Sequence, residues 1–399
     1  MKNRTKNLKK NIIRSIIVII IIIIPFGFSF LFGDIGPWLE RPHENGPYLS
    51  WNSDPATTIV ISYETPQNVS TSLYWGVNTS VSNIKTTTDL KIHSVQLSGL
   101  IPDTLYYYKI NSTEMDCHFM NKYYSFKTGG NQSNPSAFRF AVYGDNQLDL
   151  FGRSVHQRIV DRVITHNPDF IINTGDIVST SVDSNWDRFF YEVRNLASRK
   201  PYMISIGNHE QIEGPNPDFG KHFRELFTFP NNDVYYSFNY SNACFIALNI
   251  SVDEHRISPM EHSWVINTLE KANNSPLIDW IFVYYHVPLY SSGGHGCNQD
   301  LIDDYAQIFR DYKVDMVFTG HDHHYERMYI NGTYFFVNGG GGGMLDLMLP
   351  WFQSRNWSQY KLLCTHYLII DIDGSELHLQ SIREDGFVFD ELYLTSRRN

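Results

Sequence analysis

The stretch that constrains this chain most is residues 320–327, Gly-His-Asp-His-His-Tyr-Glu-Arg. An apolar run, Val314-Asp-Met-Val-Phe-Thr, leads into it and reads as a strand. A strand ending in Gly-His-x-His carries two imidazoles on the tight loop at its C-terminal edge. Side chains alternate along extended backbone, so His321 and His323 share a side and can serve two adjacent metal ions. Taken alone, the pattern is equally that of a surface loop with chance histidines. The upstream chain separates the two readings, because polar residues recur there at the ends of other strands.

Residues 137–143 form a strand-like run ending in Gly144-Asp145. Residues 169–173 end in Thr174-Gly175-Asp176, and 203–206 in Gly207-Asn208-His209-Glu210. Residues 280–285 end at His286. Helical spacing separates them at 155–165, 184–196, 258–272 and 301–312, with Ser258-Pro259 as a cap and first-turn pair. Alternating strands and helices predict an α/β layered fold. Open α/β sheets place their sites at strand ends, where these polar residues collect. Asp145, Asp176, Asn208, His286, His321 and His323 make a mixed oxygen and nitrogen set. It suits first-row ions rather than calcium or a thiolate site. A bridging carboxylate can hold two such ions about 3.5–4 Å apart, the spacing used to hydrolyse phosphate esters.

The first part of the chain is patterned differently. Residues 58–65, 72–75, 93–97, 105–110 and 123–128 read as short strands separated by polar turns, a small all-β sandwich over residues 47–129. No catalytic cluster falls within it. Before it, residues 33–46 read as a linker rich in Gly and Pro. Residues 15–32 are almost wholly apolar, long enough to cross a bilayer, and six basic residues precede them in positions 1–14. That order favours a cytoplasmic N-terminus and an exported body, so the expectation is an uncleaved signal anchor. Cleavage as a signal peptide and secretion is the alternative. Nine Asn-x-Ser/Thr sites beyond residue 33, from Asn68 to Asn356, suit an exported surface. The formal net charge of −10 argues against a nucleic-acid partner. Four scattered cysteines exclude a zinc ribbon and leave disulfides or free thiols open.

The ordered motifs resemble the calcineurin-like metallophosphoesterase superfamily, and within it the purple acid phosphatases. The likeness rests on Gly-Asp, Gly-Asp, Gly-Asn-His-Glu, His286-Val-Pro-Leu-Tyr-Ser, Gly-His-Asp-His-His-Tyr-Glu-Arg and the later Val337-Asn-Gly-Gly-Gly-Gly-Gly. The β domain ahead of them resembles fibronectin type III-like modules, and the likeness spans about residues 45–395. It implies a four-layer αββα catalytic domain over 137–395 behind the β-sandwich and the anchor. It also implies hydrolysis of a small phosphate ester by a dinuclear centre with a metal-bound hydroxide as nucleophile. By matching position, Asp176 would bridge the ions, Asp145 and His323 would complete the first site, and Asn208, His286 and His321 would hold the second. His209 would act as acid or bind a phosphoryl oxygen, and His295 is a candidate substrate contact.

Two positions depart from the family. The tyrosine that ligates ferric iron in purple acid phosphatases is replaced by Ser179, so no purple colour is expected. The histidine that the wider superfamily often places two residues after the first aspartate is Gln147 here. Gln147 is a candidate to offer its amide oxygen, directly or through water. Iron, zinc and manganese all remain open as the metals. A phosphodiesterase or nucleotide pyrophosphatase would use the same residues. A surface-binding protein with a degenerate metal site is the non-enzymatic alternative.

Overall fold

Strand Asn45–Ser50 is buried at all six positions and forms the seam of the molecule. On one side it pairs antiparallel with Thr58–Gly76, a 19-residue strand of the N-terminal domain. On the other, the Tyr48 ring stacks on Phe190 of the second domain at 4.4 Å, and its hydroxyl donates to the Leu226 carbonyl at 2.6 Å. The next large residue, Trp51, is fully buried among Phe170, Phe238 and Tyr240, with centroids 5.4–5.5 Å away. One continuous apolar core therefore runs through both domains.

The structure, a computed structural model, describes residues 43–148, 154–211, 220–231, 234–250, 258–346 and 355–398. The anchor expected at 15–32, and the linker up to residue 42, lie outside the described residues. Among the described residues no helix is long and apolar enough to cross a membrane.

The N-terminal domain is a single five-stranded sheet rather than two separate ones. Residues 58–65 and 72–75, expected as two strands, belong to one strand that carries register shifts between Glu64 and Thr71. Pro66 and the exposed Gln67 and Asn68 read as a turn in sequence. They form an irregularity at the bend instead. Proline lacks the donor a regular ladder needs and is tolerated at such places. Before the bend this strand pairs with Asn45–Ser50, and after it with Leu105–Asn111. Strand Asn83–Ser98 follows it on both sides of the bend.

The second domain contains two mixed sheets, one of six strands and one of seven. Their facing sides are aromatic: Phe140 of the first meets Phe245 and Phe282 of the second at 5.2 and 5.4 Å. Alternation along Ala243–Ala247 divides its two faces. Phe245 and Ala247 enter the core between the sheets. Cys244 and Ile246 enter a second core with Val265 and Leu269 of helix Pro259–Asn274. Helices His156–His166 and Asp183–Ala197 cover the far side of the six-stranded sheet, burying Ile159, Val160, Val163, Phe189 and Val193. The segment expected as a helix over 301–312 is interrupted by a π turn at Ile302–Ala306. The central strands of the seven-stranded sheet are parallel, as are the three strands Phe138–Tyr143, Phe170–Asn173 and Tyr202–Ile204 at one side of the six-stranded sheet, so within each group the C-terminal ends emerge along one edge.

Candidate metal centre

The strand ends that reach this edge turn sharply. Asp145, Asp176 and His321 have φ of 58°, 53° and 70°. Left-handed backbone is uncommon for residues with a Cβ and is tolerated where surrounding contacts hold it. Here it comes two or three residues beyond the strands Phe138–Tyr143, Phe170–Asn173 and Met316–Thr319, at the turns that leave them. Glycines make room for the crowding. A Cβ on Gly320 would run into the Asp145 carboxylate, one on Gly207 into Asp176, and one on Gly339 into the Asp322 carbonyl. The 339–343 glycine run therefore serves close backbone approach.

Asp176 is at the centre. Its Oδ2 lies 3.1 Å from His286 Nε2, 3.5 Å from Gln147 Nε2 and 3.8 Å from His209 Nε2. Its Oδ1 accepts the His209 backbone N–H at 2.9 Å. On one side, Asp176, His286 and His321 present ligand atoms within 4.8 Å of one another. On the other, His323 Nε2 is 3.3 Å from Asp145 Oδ1 and 3.4 Å from Gln147 Nε2. Carbonyls orient the rings from behind. Thr174 accepts from His286 Nδ1 at 2.9 Å and Met344 from His323 Nδ1 at 2.5 Å, so both Nε2 atoms face inward. Asn208 opens the short helix Asn208–Gln211 with its Oδ1 buried.

Whether this set fits metal ions is answered by its unpartnered atoms. Asp145 Oδ2, Gln147 Oε1, Asn208 Oδ1 and His286 Nε2 are all buried without a hydrogen bond. The 3.1 Å approach of His286 to Asp176 does not contradict this, because proximity of charge does not require hydrogen-bond geometry. Buried polar atoms are costly without a partner. Among the described residues the two carboxylates pair only with histidines, not with Lys or Arg. Burial disfavours charge on His286 and His323, yet Asp176 and Asp145 more than offset it and raise them to about 10 and about 9. His321 is pushed down to about 3 by burial and by the neighbouring His286 and His295. The field is one that attracts protons to two imidazoles and refuses one to the third. Cations between carboxylate and imidazole satisfy all of these atoms together.

His209 is held differently from the other histidines. Its Nδ1 donates to the Ser179 carbonyl at 2.6 Å, which leaves Nε2 toward the site, and its side chain is one-third exposed. The Ser179 side chain turns away and donates to the Leu148 carbonyl at 3.1 Å. His295 is more exposed and packs its ring 4.1 Å from that of His321, beside a cavity of about 400 Å³ floored by Val287 and Pro288.

Three features were not anticipated. Glu210 is fully buried and accepts from the backbone N–H groups of Gly207, Asp176, Ile177 and Val178 at 2.8–3.1 Å. Burial and the nearby Asp176 push its carboxyl up to about 7. It sits inside the Gly-Asn-His-Glu motif, and an acid two residues after Asn208 was the available signal. His156, at the start of the helix His156–His166, is buried and bonds Glu192 at 2.8 Å. A helix face covered by a sheet differs from a solvated one only through its partner. Asp322 and Glu326 are also fully buried. All four cysteines are free thiols.

Comparison with known proteins gives a consistent picture. The calcineurin-like phosphoesterase family matches residues 138–325, and the purple acid phosphatase N-terminal domain matches 45–128. Purple acid phosphatase 15 of Arabidopsis thaliana is 28% identical over 276 residues, covering 59% of this chain and 49% of that protein. Acid phosphatase type 7 of Mus musculus is 27% identical over 357 residues, covering 76% and 77%. The chain spans only about half the length of several curated relatives it matches. Among solved structures, a purple acid phosphatase from yellow lupin seeds superposes with a TM-score of 0.75 at 21% identity. That match covers 88% of this chain and 74% of the other.

Proposed function

We propose that this chain, which matches the calcineurin-like phosphoesterase family over residues 138–325 and the purple acid phosphatase N-terminal domain over 45–128, is a metal-dependent phosphoric ester hydrolase acting on phosphomonoesters. The observation that carries this reading is the ring of buried, unpartnered ligand atoms around Asp176. Asp176 would bridge two ions. Asp145 and His323 would hold the first, and Asn208, His286 and His321 the second. Gln147 is the further candidate at the first site. Its amide nitrogen and oxygen differ by a flip, and turning the oxygen toward His323 and Asp176 would make a ligand. Two ions so held supply activation of water and neutralisation of phosphoryl charge.

The side chains do the rest. Asp176 and its neighbours fix where the phosphoryl group can sit. His209, with Nδ1 held by the Ser179 carbonyl, presents Nε2 as a donor to the leaving oxygen or a phosphoryl oxygen. The cavity beside His295 offers room for the alcohol portion. Without a tyrosine at position 179, the metal-loaded protein should not be purple. A visible charge-transfer band would contradict that assignment. Hydrolysis of p-nitrophenyl phosphate against bis-p-nitrophenyl phosphate tests the ester class. Preference for the bis-ester by tenfold or more would replace this reading with a phosphodiesterase. The anchor over 15–32 and an outward-facing catalytic domain are part of the same proposal. Membrane fractionation of the full chain with protease protection tests them.

A further inference from the structure

Asp322 lies between the two metal-facing histidines of the 320–327 motif and Glu326 follows them, and both acids face a different segment. Asp322 Oδ1 accepts from His295 twice, from the backbone N–H at 3.1 Å and from Nδ1 at 2.7 Å. Asp322 Oδ2 accepts from the Ser291 hydroxyl, which in turn accepts the Gly293 N–H at 2.9 Å. Glu326 accepts from Ser292 N–H and Oγ at 2.8 and 2.9 Å. Residues 291–295 are thus clasped at several points by two carboxylates that are themselves fully buried.

The loop needs that clasp. It reads Ser-Ser-Gly-Gly-His-Gly, and glycine carries the largest backbone entropy to be lost on ordering. Gly294 and Gly296, on either side of His295, have open space where a Cβ would stand, so packing at those positions does not hold the chain. Yet the His295 ring rests at 4.1 Å from the ring of His321 while more than half its side chain is exposed. Its Nδ1 is committed to Asp322. The ring nitrogen left for a ligand is therefore Nε2, and His295 lines the cavity.

We propose that Asp322 is a positioning residue for substrate, which fixes the His295 ring and its tautomer so that Nε2 meets the phosphate ester, with Glu326 anchoring the same loop. The proposal rests on the phosphoesterase reading of the site. It assigns the motif two functions: histidines toward the metals, acids toward the substrate loop.

A double-mutant cycle between Asp322→Ala and His295→Ala, on the metal-loaded protein, tests it. The readouts are kcat and KM for p-nitrophenyl phosphate, the Kd of inorganic phosphate, and metal content. Asp322→Ala should lower kcat/KM and weaken phosphate binding by about tenfold, the size of coupling seen between contacting groups. In the His295→Ala background it should add less than twofold, with metal content unchanged. Asp322→Asn keeps an acceptor oxygen and should lose only about threefold, again not at all once His295 is gone. This variant preserves the cycle if the alanine protein does not fold. Equal losses in both backgrounds, or full activity in Asp322→Ala, would overturn the positioning role alone. A wild type that neither hydrolyses the ester nor binds phosphate would overturn both this role and the phosphoesterase reading.

Discussion

His209 and Glu210 are adjacent and have separate tasks. His209 is oriented from behind by a carbonyl and exposes one nitrogen to the site. His209→Ala should keep both metal ions and lose roughly 10²–10⁴-fold in kcat, as expected for a positioned proton donor. Full turnover by that variant would remove His209 from the mechanism. Glu210 is a buried anchor that collects four backbone N–H groups from the loops carrying Asp176 and Asn208. Glu210→Ala leaves those donors unsatisfied and should destabilise by about 3 kcal/mol or more. It should also weaken metal binding by about 10–100-fold, the usual cost of losing a group that orients ligands. Unchanged melting temperature and metal affinity would contradict this. At this scale sequence was most informative where chemistry and position coincide: a His or Asp directly after an apolar run. It was least informative for Glu210 and Asp322, whose roles depend on which backbone N–H groups the fold brings to them.

At the scale of elements, the site depends on strand exits that pass through left-handed backbone and on glycines that let them crowd. Gly320→Ala places a methyl against the Asp145 carboxylate. It should cost about 1–3 kcal/mol as overpacking and reduce metal content at the first site. Wild-type metal content would argue that the loop can yield. Helix Pro259–Asn274 offers a test away from the metals. Ser258 caps it by accepting from the Glu261 N–H, and the Glu261 carboxylate accepts from the Asn249 N–H at 2.7 Å. Burial pushes the Glu261 carboxyl up to about 8, above its ordinary value of 4.5. The folded state therefore binds that proton more tightly than the unfolded one. Its stabilisation is fully present below pH 4.5 and is lost as pH rises toward 8. Glu261→Gln should flatten the decline, and the difference from wild type should grow by on the order of 1–3 kcal/mol between pH 5 and 8. Parallel stability curves would refute it. The helix was legible from its Ser-Pro start. The continuous strand Thr58–Gly76 was not, because Pro66 and its polar neighbours are locally indistinguishable from a turn.

For the whole molecule, the seam at residues 45–51 joins a β domain and a metal-site domain through one core. Trp51→Ala removes a fully buried indole from the ring of Phe170, Phe238 and Tyr240 and should cost about 3–5 kcal/mol. Both domains should still unfold in one transition, and two separated transitions would show that the seam is weaker than its packing implies. The order of strands, helices and site motifs was readable from periodicity and from the residues at strand ends. The shared core was not, because an aromatic at position 48 or 51 carries no mark of which domain it faces. The central claim concerns Asp176 and the buried atoms around it. It is tested most directly by elemental analysis of the purified protein alongside hydrolysis of p-nitrophenyl phosphate before and after chelation. Two ions per chain are expected, with turnover abolished by chelator and restored by adding iron, zinc or manganese. Fewer than one ion per chain, with no hydrolysis after metal addition, would contradict it.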